Sequence, residues 1–370
     1  MARLLNPKTR TGRGAVRDLP NRFEKLALDL DPDVVQDDPG AEGEMGDESL
    51  PNPKTTFLED SSESIIVRNE SPDVGFSAGI NPYRGCEHGC AYCYARPYHE
   101  YLGFSAGLEF ETKIMVKRRA AELLRRELSS PKYVPQLLGM SGVTDCYQPA
   151  ERQFRITRAC LEVLAEFRNP VSLITKNFLI TRDLDVLKEL AAFNAVHVFI
   201  SITTLNADLA AKMEPRASRP AHRLRAVEML AKAGVPVGVM VAPIIPGLND
   251  REIPAVLEAA KKAGAGEAGY TMLRLPYGVK DVFQEWLKLN FPEKLERIIG
   301  GVRSVRGGKL NVSDFATRMR GEGPYAEQVR QMFHVFRERL GFHARSLELR
   351  TEHFRRPGEM QMLLEMENWF

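Results

Sequence analysis

From Ser64 onward, the sequence alternates between short apolar runs and longer segments in which apolar residues recur every three or four positions. The first pattern is typical of buried strands and the second of amphipathic helices. Six strands are predicted, at residues 76–80, 136–141, 171–175, 196–201, 235–245 and 269–273. Seven helical segments are predicted among them, at residues 117–128, 151–168, 184–193, 207–213, 221–233, 251–263 and 279–289.

This order of strands and helices indicates an α/β fold with a parallel sheet that is covered by helices. A doubly wound open sheet also fits the alternation. No strand, however, is followed by a glycine-rich G-x-G-x-x-G or G-x-x-x-x-G-K-S/T sequence, which argues against a dinucleotide or P-loop site. We therefore expect functional residues at the carboxyl ends of the strands, as in a (β/α) barrel.

The charge pattern divides the chain into three parts. Residues 1–27 are basic, and residues 29–48 hold nine acidic side chains without a lysine or arginine. We expect residues 1–63 to be largely disordered, because such a composition buries too little apolar surface to fold. Residues 64–290 are the predicted core. Residues 291–370 are predicted to form a basic, mainly helical extension, with twelve Lys or Arg against six Asp or Glu between Gly301 and Arg356.

The composition is that of an ordinary globular protein, with 370 residues, 44% hydrophobic and 27% charged. No run of eighteen apolar residues predicts a membrane span, so we expect no membrane partner. The amino terminus is basic but lacks the apolar stretch of a secretory signal. With only five cysteines, the chain is expected in the reducing cytoplasm.

Three of the five cysteines, Cys86, Cys90 and Cys93, form a C-x3-C-x2-C motif. Thiolates this close in sequence can converge on one soft metal centre, and Gly85 and Gly89 allow the loop to wrap around it. Three local ligands leave one iron of a cluster open, which is typical of a catalytic centre. The alternative is a zinc site, completed by a histidine in the loop or by a distant residue.

The motif, with Tyr92 directly before the third cysteine, resembles the radical S-adenosylmethionine (SAM) superfamily. Within it, the chain is similar to the spore photolyase-like branch, also called the DNA repair photolyase-like branch. This resemblance covers residues 68–340 and rests on the segments NPYRGCEHGCAYCYARP, TDCYQPAE, ITKN, EPRASRPAHRL, VMVAPIIPGLND and TRMRGEGPYA. It implies a partial (β/α)6 TIM-type barrel with a [4Fe-4S] cluster and S-adenosyl-L-methionine as cofactors.

The resemblance also implies roles for single residues. The three cysteines of the motif would hold the cluster, and Tyr92 would lie against the adenine of SAM. Lys176 looks like the lysine that pairs with the SAM carboxylate, although a solvated lysine is the alternative. Ser201 resembles a residue that faces the ribose. Glu214 and Arg216 can bind the amino group, carboxylate or ribose of SAM, or form an ion pair that fixes their loop.

Three further residues are candidates for catalysis. Asp145 and Glu151 are candidates for the role that other radical SAM enzymes give to a Gly-Gly-Glu turn. For Glu151, the alternative is a carboxylate at the positive end of a helix. Cys146 stands where the branch commonly has proline, and it can either return a hydrogen atom to a substrate radical or fill space in the core.

The mechanism that the resemblance implies is single-electron chemistry. The reduced cluster cleaves SAM to methionine and a 5′-deoxyadenosyl radical, which takes a hydrogen atom from a substrate carbon. A reductant such as flavodoxin or ferredoxin is the expected partner. Nucleic acid, a protein side chain and a small molecule are all candidate substrates. The basic extension can follow a phosphate backbone, and a solvated charged face is the alternative. The competing hypothesis is a zinc- or cluster-stabilised nucleic-acid-binding protein without turnover.

Overall fold

The computed structural model of the protein describes residues 13–24, 54–343 and 348–357. In chain order its strands are β1 Thr56–Glu59, β2 Ile66–Arg68, β3 Ala78–Ile80, β4 Tyr83–Arg84, β5 Lys113–Val116, β6 Leu138–Met140, β7 Val171–Thr175, β8 Val196–Ser201, β9 Val237–Ile244 and β10 Glu267–Met272. Its helices are α1 Glu109–Thr112, α2 Ala120–Ser129, α3 Glu151–Phe154, α4 Ile156–Phe167, α5 Leu184–Ala191, α6 Ala207–Met213, α7 Pro220–Lys232, α8 Ile253–Lys262, α9 Val279–Asn290, α10 Leu295–Ser304, α11 Phe315–Arg318 and α12 Gly323–Arg339.

The main sheet has seven strands in the order β10-β9-β8-β7-β6-β3-β2. Six strands of this sheet run parallel to one another: β3, β6, β7, β8, β9 and β10. Strand β2 pairs antiparallel with β3 at one edge. At least one helix lies in the chain between each parallel strand and the next one of the sheet. This is the arrangement of a partial (β/α) barrel. The predicted α/β fold class is confirmed. In the described ranges, no helix has both the length and the apolar character that a membrane crossing requires.

The two faces of the sheet carry different residues. Leu173 of β7 and Val198 of β8 belong to the main hydrophobic core, together with Leu164 of α4 and Leu187 of α5. This is the face that the helices cover, because strand side chains alternate between faces. We call the opposite face the lumen.

Large side chains in the lumen lie over glycines of the neighbouring strand. A Cβ atom on Gly238 would lie 2.6 Å from the ring of Phe199, and one on Gly139 would lie 2.3 Å from the ring of Phe76. Ile174, which pairs with Phe199, is only half-buried. The lumen therefore combines contacts between large rings and glycines with a buried polar pair, in which His197 Nε2 lies 3.8 Å from Glu267 Oε1.

A second, three-stranded sheet of β1, β5 and β4 was not predicted. Its strand β1 lies inside the segment expected to be largely disordered, and it pairs in parallel with β5. Residues 13–24 of the same segment are also packed against the core. The disorder prediction is therefore wrong for residues 13–24 and 54–63, because long-range contacts order them. The acidic stretch at 29–48 lies outside the described residues.

The helix predicted at 151–168 is two helices, α3 and α4. The chain breaks at Arg155, which has a φ of 54° in the left-handed region. In the extension, α12 packs Phe333 against Tyr270 of β10, with 4.7 Å between ring centroids. The extension therefore covers the β10 side of the sheet with helices.

Candidate active site at the carboxyl ends of the strands

The cysteine loop, residues 85–93, follows the short strand β4. Backbone hydrogen bonds join Cys86 N to Phe110 O at 2.9 Å and Ala91 N to Met213 O at 3.3 Å. Gly85 and Gly89 have φ values of 78° and 66°, which glycine adopts without strain. The loop thus turns twice, as predicted, and lies between α1 and the end of α6.

All three thiols of this loop are free, with Cys86 and Cys90 buried and Cys93 partly exposed. Burial raises the pKa of Cys90 well above its ordinary value, and it raises the pKa of Cys93 to about 11, with the neighbouring Cys86 acting in the same direction. As placed in the described part of the chain, no three Cys, His, Asp or Glu side chains converge tightly enough to hold a metal ion. The donor set still fits an iron–sulfur centre, because three free thiols in one turning loop are the ligands such a centre takes.

Glu214 is the centre of a buried polar group beside this loop. Its carboxylate accepts hydrogen bonds from the phenol of Tyr92, from Arg223 and from Thr203 Oγ1, the last at 2.5 Å. Lys176 Nζ lies 4.0 Å from the same carboxylate. Burial opposes the charged form, but the cations of Arg223 and Lys176 outweigh it and lower the pKa of Glu214 to about 2. Glu214 is therefore a carboxylate at neutral pH.

Lys176 follows β7 directly and reaches across to β8. Its Nζ donates to Ser201 Oγ at 2.7 Å, and Ser201 Oγ donates to the carbonyl of Ala242 on β9 at 3.1 Å. The side chain of Lys176 is only 17% exposed, so the alternative of a solvated lysine is wrong. The structure brings Tyr92, Lys176, Ser201 and Glu214 together.

Asp145 lies at the edge of this group. It accepts hydrogen bonds from Thr175 Oγ1 at 2.7 Å and from the backbone nitrogen of Lys176 at 2.8 Å, and His88 Nδ1 lies 3.3 Å away. Burial opposes its charge, yet His88 and these hydrogen bonds lower the pKa of Asp145 to about 2. The other ring nitrogen of His88 lies 3.3 Å from Asn177 Nδ2. Both nitrogens of His88 are thus engaged, which does not support it as a zinc ligand.

Arg216 does not join the group around Glu214. Its guanidinium binds Glu87 Oε1 at 2.9 Å and Thr55 Oγ1 at 3.2 Å. The ion pair considered between Glu214 and Arg216 is not formed, because the buried Arg223 pairs with Glu214 instead. The prediction that Arg216 binds SAM gains no support from this position.

Glu151 has a structural role in the described chain. Its carboxylate accepts from the backbone nitrogens of Thr157 at 3.0 Å and Arg158 at 3.3 Å, which caps the amino end of α4. Tyr83 and Arg182 donate to it as well. Glu151 is fully buried with its oxygens engaged, which supports the alternative of a carboxylate at a helix start over the catalytic role.

Cys146 is fully buried and belongs to the main hydrophobic core. Burial raises the pKa of its thiol well above the ordinary value. This placement supports the space-filling alternative over the hydrogen-atom donor.

Several residues that hold the site were missed from the sequence. Gln148 accepts from the backbone nitrogen of Glu87 at 2.9 Å and donates to the carbonyl of Gly85 at 3.1 Å, so it fixes the start of the cysteine loop. Arg96 donates twice to the carbonyl of Cys90, at 3.2 and 2.9 Å. Gln148, Arg96 and Arg223 all lie in the segments on which the resemblance rests, but nothing in their spacing identifies their partners.

Comparison with known proteins agrees with this architecture. The family model described as the radical SAM superfamily matches residues 80–260. An uncharacterized protein of Mycobacterium tuberculosis is 35% identical over 247 residues, which are 65% of this chain and 72% of the relative. An uncharacterized protein of Methanocaldococcus jannaschii is 28% identical over 219 residues, covering 59% of this chain and 78% of the relative.

Among solved structures, spore photoproduct lyase complexed with dinucleoside spore photoproduct has a TM-score of 0.52 and 15% sequence identity. The match covers 77% of this chain and 80% of that chain. At this level of identity, the likeness shows the fold.

Proposed function

Because the chain belongs to the radical SAM superfamily, we propose that it is an enzyme in which Cys86, Cys90 and Cys93 hold a [4Fe-4S] cluster that uses SAM. The observation that carries this proposal is the position of three free thiols beside the buried group of Tyr92, Lys176, Ser201 and Glu214. When bound, the cluster supplies the electron that splits SAM into methionine and a 5′-deoxyadenosyl radical, which removes a hydrogen atom from the substrate.

The protein's own contribution is the placement of SAM. The ammonium group of Lys176 offers the SAM carboxylate a charge-assisted hydrogen bond, which is stronger than a neutral one. With SAM bound, Ser201 would face the ribose, and the ring of Tyr92 would lie against the adenine. Glu214 fixes the hydroxyl of Tyr92 and carries a negative charge, which would attract the amino group of SAM.

The lumen supports the second half of this chemistry. Ile174 and Phe199 line it with apolar surface below the group of Lys176 and Ser201. A substrate carbon held there is kept from water, which prevents side reactions of a reactive intermediate.

Anaerobic reconstitution with iron and sulfide tests the proposal. We expect a brown protein that releases 5′-deoxyadenosine from SAM when it is reduced with dithionite. Cys93→Ala should lose both properties and keep its fold, while Cys160→Ala, which removes a thiol from the core of α4, should keep both. A colourless protein that binds zinc and unfolds when the zinc is removed would establish the competing zinc-stabilised hypothesis.

Nucleic acid is the substrate class that we propose, and a surface band of aromatic and arginine side chains supports it. Tyr94 follows the third cysteine, Arg274 follows β10, and the guanidinium carbon of Arg274 lies 5.4 Å from the ring centroid of Tyr94. The guanidinium of Arg22 stacks on Tyr277 at 3.9 Å. The exposed rings of the band are Tyr94, Tyr98, Tyr101, Tyr277, Phe23 and Phe315.

Exposed rings interleaved with arginines form a surface on which unpaired bases stack while the cations contact phosphates. The lyase similar in fold carries a dinucleoside in its solved complex. We expect a fluorescent single-stranded oligonucleotide to bind with an affinity that falls as salt rises. Tyr98→Ala should weaken that binding about 5- to 150-fold, since base stacking contributes about 1–3 kcal/mol. Arg119→Ala, an exposed change beside α2, is the control, and equal binding by both variants contradicts the assignment.

A further inference from the structure

A segment near the amino end crosses the outer side of the cysteine loop. We call residues Arg13–Asn21 the strap. It approaches the loop so closely that a Cβ atom on Gly14 would lie 1.7 Å from the carbonyl oxygen of Gly89. A Cβ atom on Gly107 would lie 2.3 Å from the carbonyl oxygen of Arg17. Two close contacts that only glycine permits show that the strap is a fitted part of the fold.

The anchor of the strap is the carboxylate of Glu111, which is fully buried. Glu111 Oε2 accepts from Gly14 N at 3.0 Å and Oε1 accepts from Ala15 N at 2.8 Å. Arg96, also fully buried, donates to Oε1 of the same carboxylate. A buried carboxylate with these partners is stable only while all of them stay in place.

Arg96 carries the connection from the strap to the cysteines. Its Nε and Nη2 donate to the carbonyl of Cys90, and its Nη1 donates to the carbonyl of Gly107 at 2.8 Å. Glu111 thus links the strap, through one guanidinium, to the backbone of a predicted cluster ligand.

Both ends of the strap are tied to other parts of the chain. Arg13 Nη2 donates to Thr55 Oγ1 at 3.1 Å, and that hydroxyl donates to Glu87 in the cysteine loop at 2.9 Å. At the other end, Leu19 N donates to Ser105 Oγ at 2.7 Å. The strap is held along its length, so it acts as a cover and not as a loose tail.

We propose that the strap is a permanent cover over the cysteine loop, and that Glu111 is a positioning residue that acts on Cys90 through Arg96. The inference rests on the proposed function, since the loop is taken to hold the cluster. The cover excludes water and dioxygen from the outer side of the loop. The hydrogen bonds from Arg96 fix the orientation of the Cys90 backbone, and thereby the direction in which its side chain points.

The first test uses the full chain without a cluster. Gly14→Ala places a methyl group against Gly89, whereas Gly300→Ala, on the exposed side of α10 with no atom near its Cβ position, is the matched control. We expect hydrogen exchange in residues 13–24 and 85–93 to be about tenfold faster in Gly14→Ala. This corresponds to a decrease of about 1.4 kcal/mol in the free energy of local opening. Unchanged exchange overturns the cover. This result does not depend on whether the loop binds iron.

The second test uses reconstituted protein. The visible absorbance of the cluster should decay about tenfold faster in air in Gly14→Ala than in Gly300→Ala, in proportion to the easier opening. Glu111→Gln should also change the electron paramagnetic resonance spectrum of the reduced cluster, which a defect in the cover alone would leave unaltered. If this variant does not fold, Gly14→Ala still tests the cover, and Arg96→Lys, which keeps the charge but loses the paired donors, tests the positioning.

The two tests separate the failure of each idea. If the wild-type chain binds no iron but Gly14→Ala exchanges faster, the strap is a cover and the proposed function fails. If the wild-type cluster forms and all variants decay alike with the same spectrum, the proposed function stands and this inference is wrong.

Discussion

The ammonium nitrogen of Lys176 lies 2.7 Å from the hydroxyl oxygen of Ser201, across the carboxyl ends of two neighbouring parallel strands. Ser201 in turn donates to the carbonyl of Ala242 on the third strand. The cation is therefore held over the lumen by strand ends, which are more rigid than loops. A side chain held in this way can bind an anionic group with little loss of conformational freedom.

Replacing Lys176 by methionine should weaken SAM binding and leave the cluster intact. A hydrogen bond to a charged group contributes about 1.5–3 kcal/mol, so the dissociation constant should rise about 10- to 150-fold. Equilibrium dialysis of SAM against reconstituted protein measures this. Lys188→Met, an exposed change in the last turn of α5, is the control. Equal affinity in both variants would show that Lys176 does not contact SAM.

Glu214 makes the stability of the protein depend on pH. Its pKa in the folded state is about 2, below the ordinary value of 4.5. A carboxylate with a lowered pKa stabilises the fold above its unfolded pKa, and this stability is lost as the pH falls from about 4.5 to about 2. The contribution is at most about 3 kcal/mol.

Urea unfolding across this pH window checks that prediction. Glu214→Gln should be less stable than the wild type at neutral pH, because Arg223 loses its buried partner, and its free energy of unfolding should vary less with pH. Glu258→Gln, an exposed change in α8, should reproduce the wild-type slope. A variant curve parallel to that of the wild type would exclude Glu214 as a source of the acid dependence.

Replacing Glu151 by alanine should destabilise the fold without abolishing cluster assembly. The change leaves two backbone nitrogens of α4 uncapped and removes the acceptor of Tyr83 and Arg182, at a cost of about 2–5 kcal/mol. Chemical denaturation measures the loss. Glu162→Ala, which breaks an exposed ion pair with Arg158 on the same helix, should cost less than about 1 kcal/mol. Should Glu151→Ala keep its stability and lose SAM cleavage, the result would support the catalytic role over the structural one.

Cys146→Ala distinguishes a core thiol from a hydrogen-atom donor. A core role predicts a loss of about 1–2 kcal/mol in the free energy of unfolding and an unchanged set of reaction products. Cys160→Ala, which also removes a fully buried thiol, should behave in the same way. Product analysis by mass spectrometry decides the matter, since new products from Cys146→Ala alone would identify it as a donor.

The parts of the fold that the sequence predicted are those where the local pattern is strong. Strands β7 and β8 and helix α6 have the predicted bounds, because a continuous apolar run or a clear helical spacing defines each. The small sheet with β1 was not predicted, because its short strands are partly exposed and depend on pairing with distant segments.

In the site, the sequence predicted residues that lie at strand ends or in the cysteine motif, such as Lys176 and Ser201. It did not predict the partners of Glu214 or Glu111. Arg223 follows Glu214 by nine residues, and Arg96 precedes Glu111 by fifteen, and neither spacing distinguishes a buried ion pair from two solvated charges. Those pairs form because the tertiary fold buries both partners together. A local sequence pattern does not indicate which charged residues become buried.

The contact of Phe199 with Gly238 makes the lumen open to redesign. The two residues face each other across neighbouring strands. A smaller residue at 199 combined with alanine at 238 would therefore move free volume from one side of the lumen to the other, while the strand pairing stays unchanged. Such exchanges would change the shape of the lumen face without altering the cysteine loop.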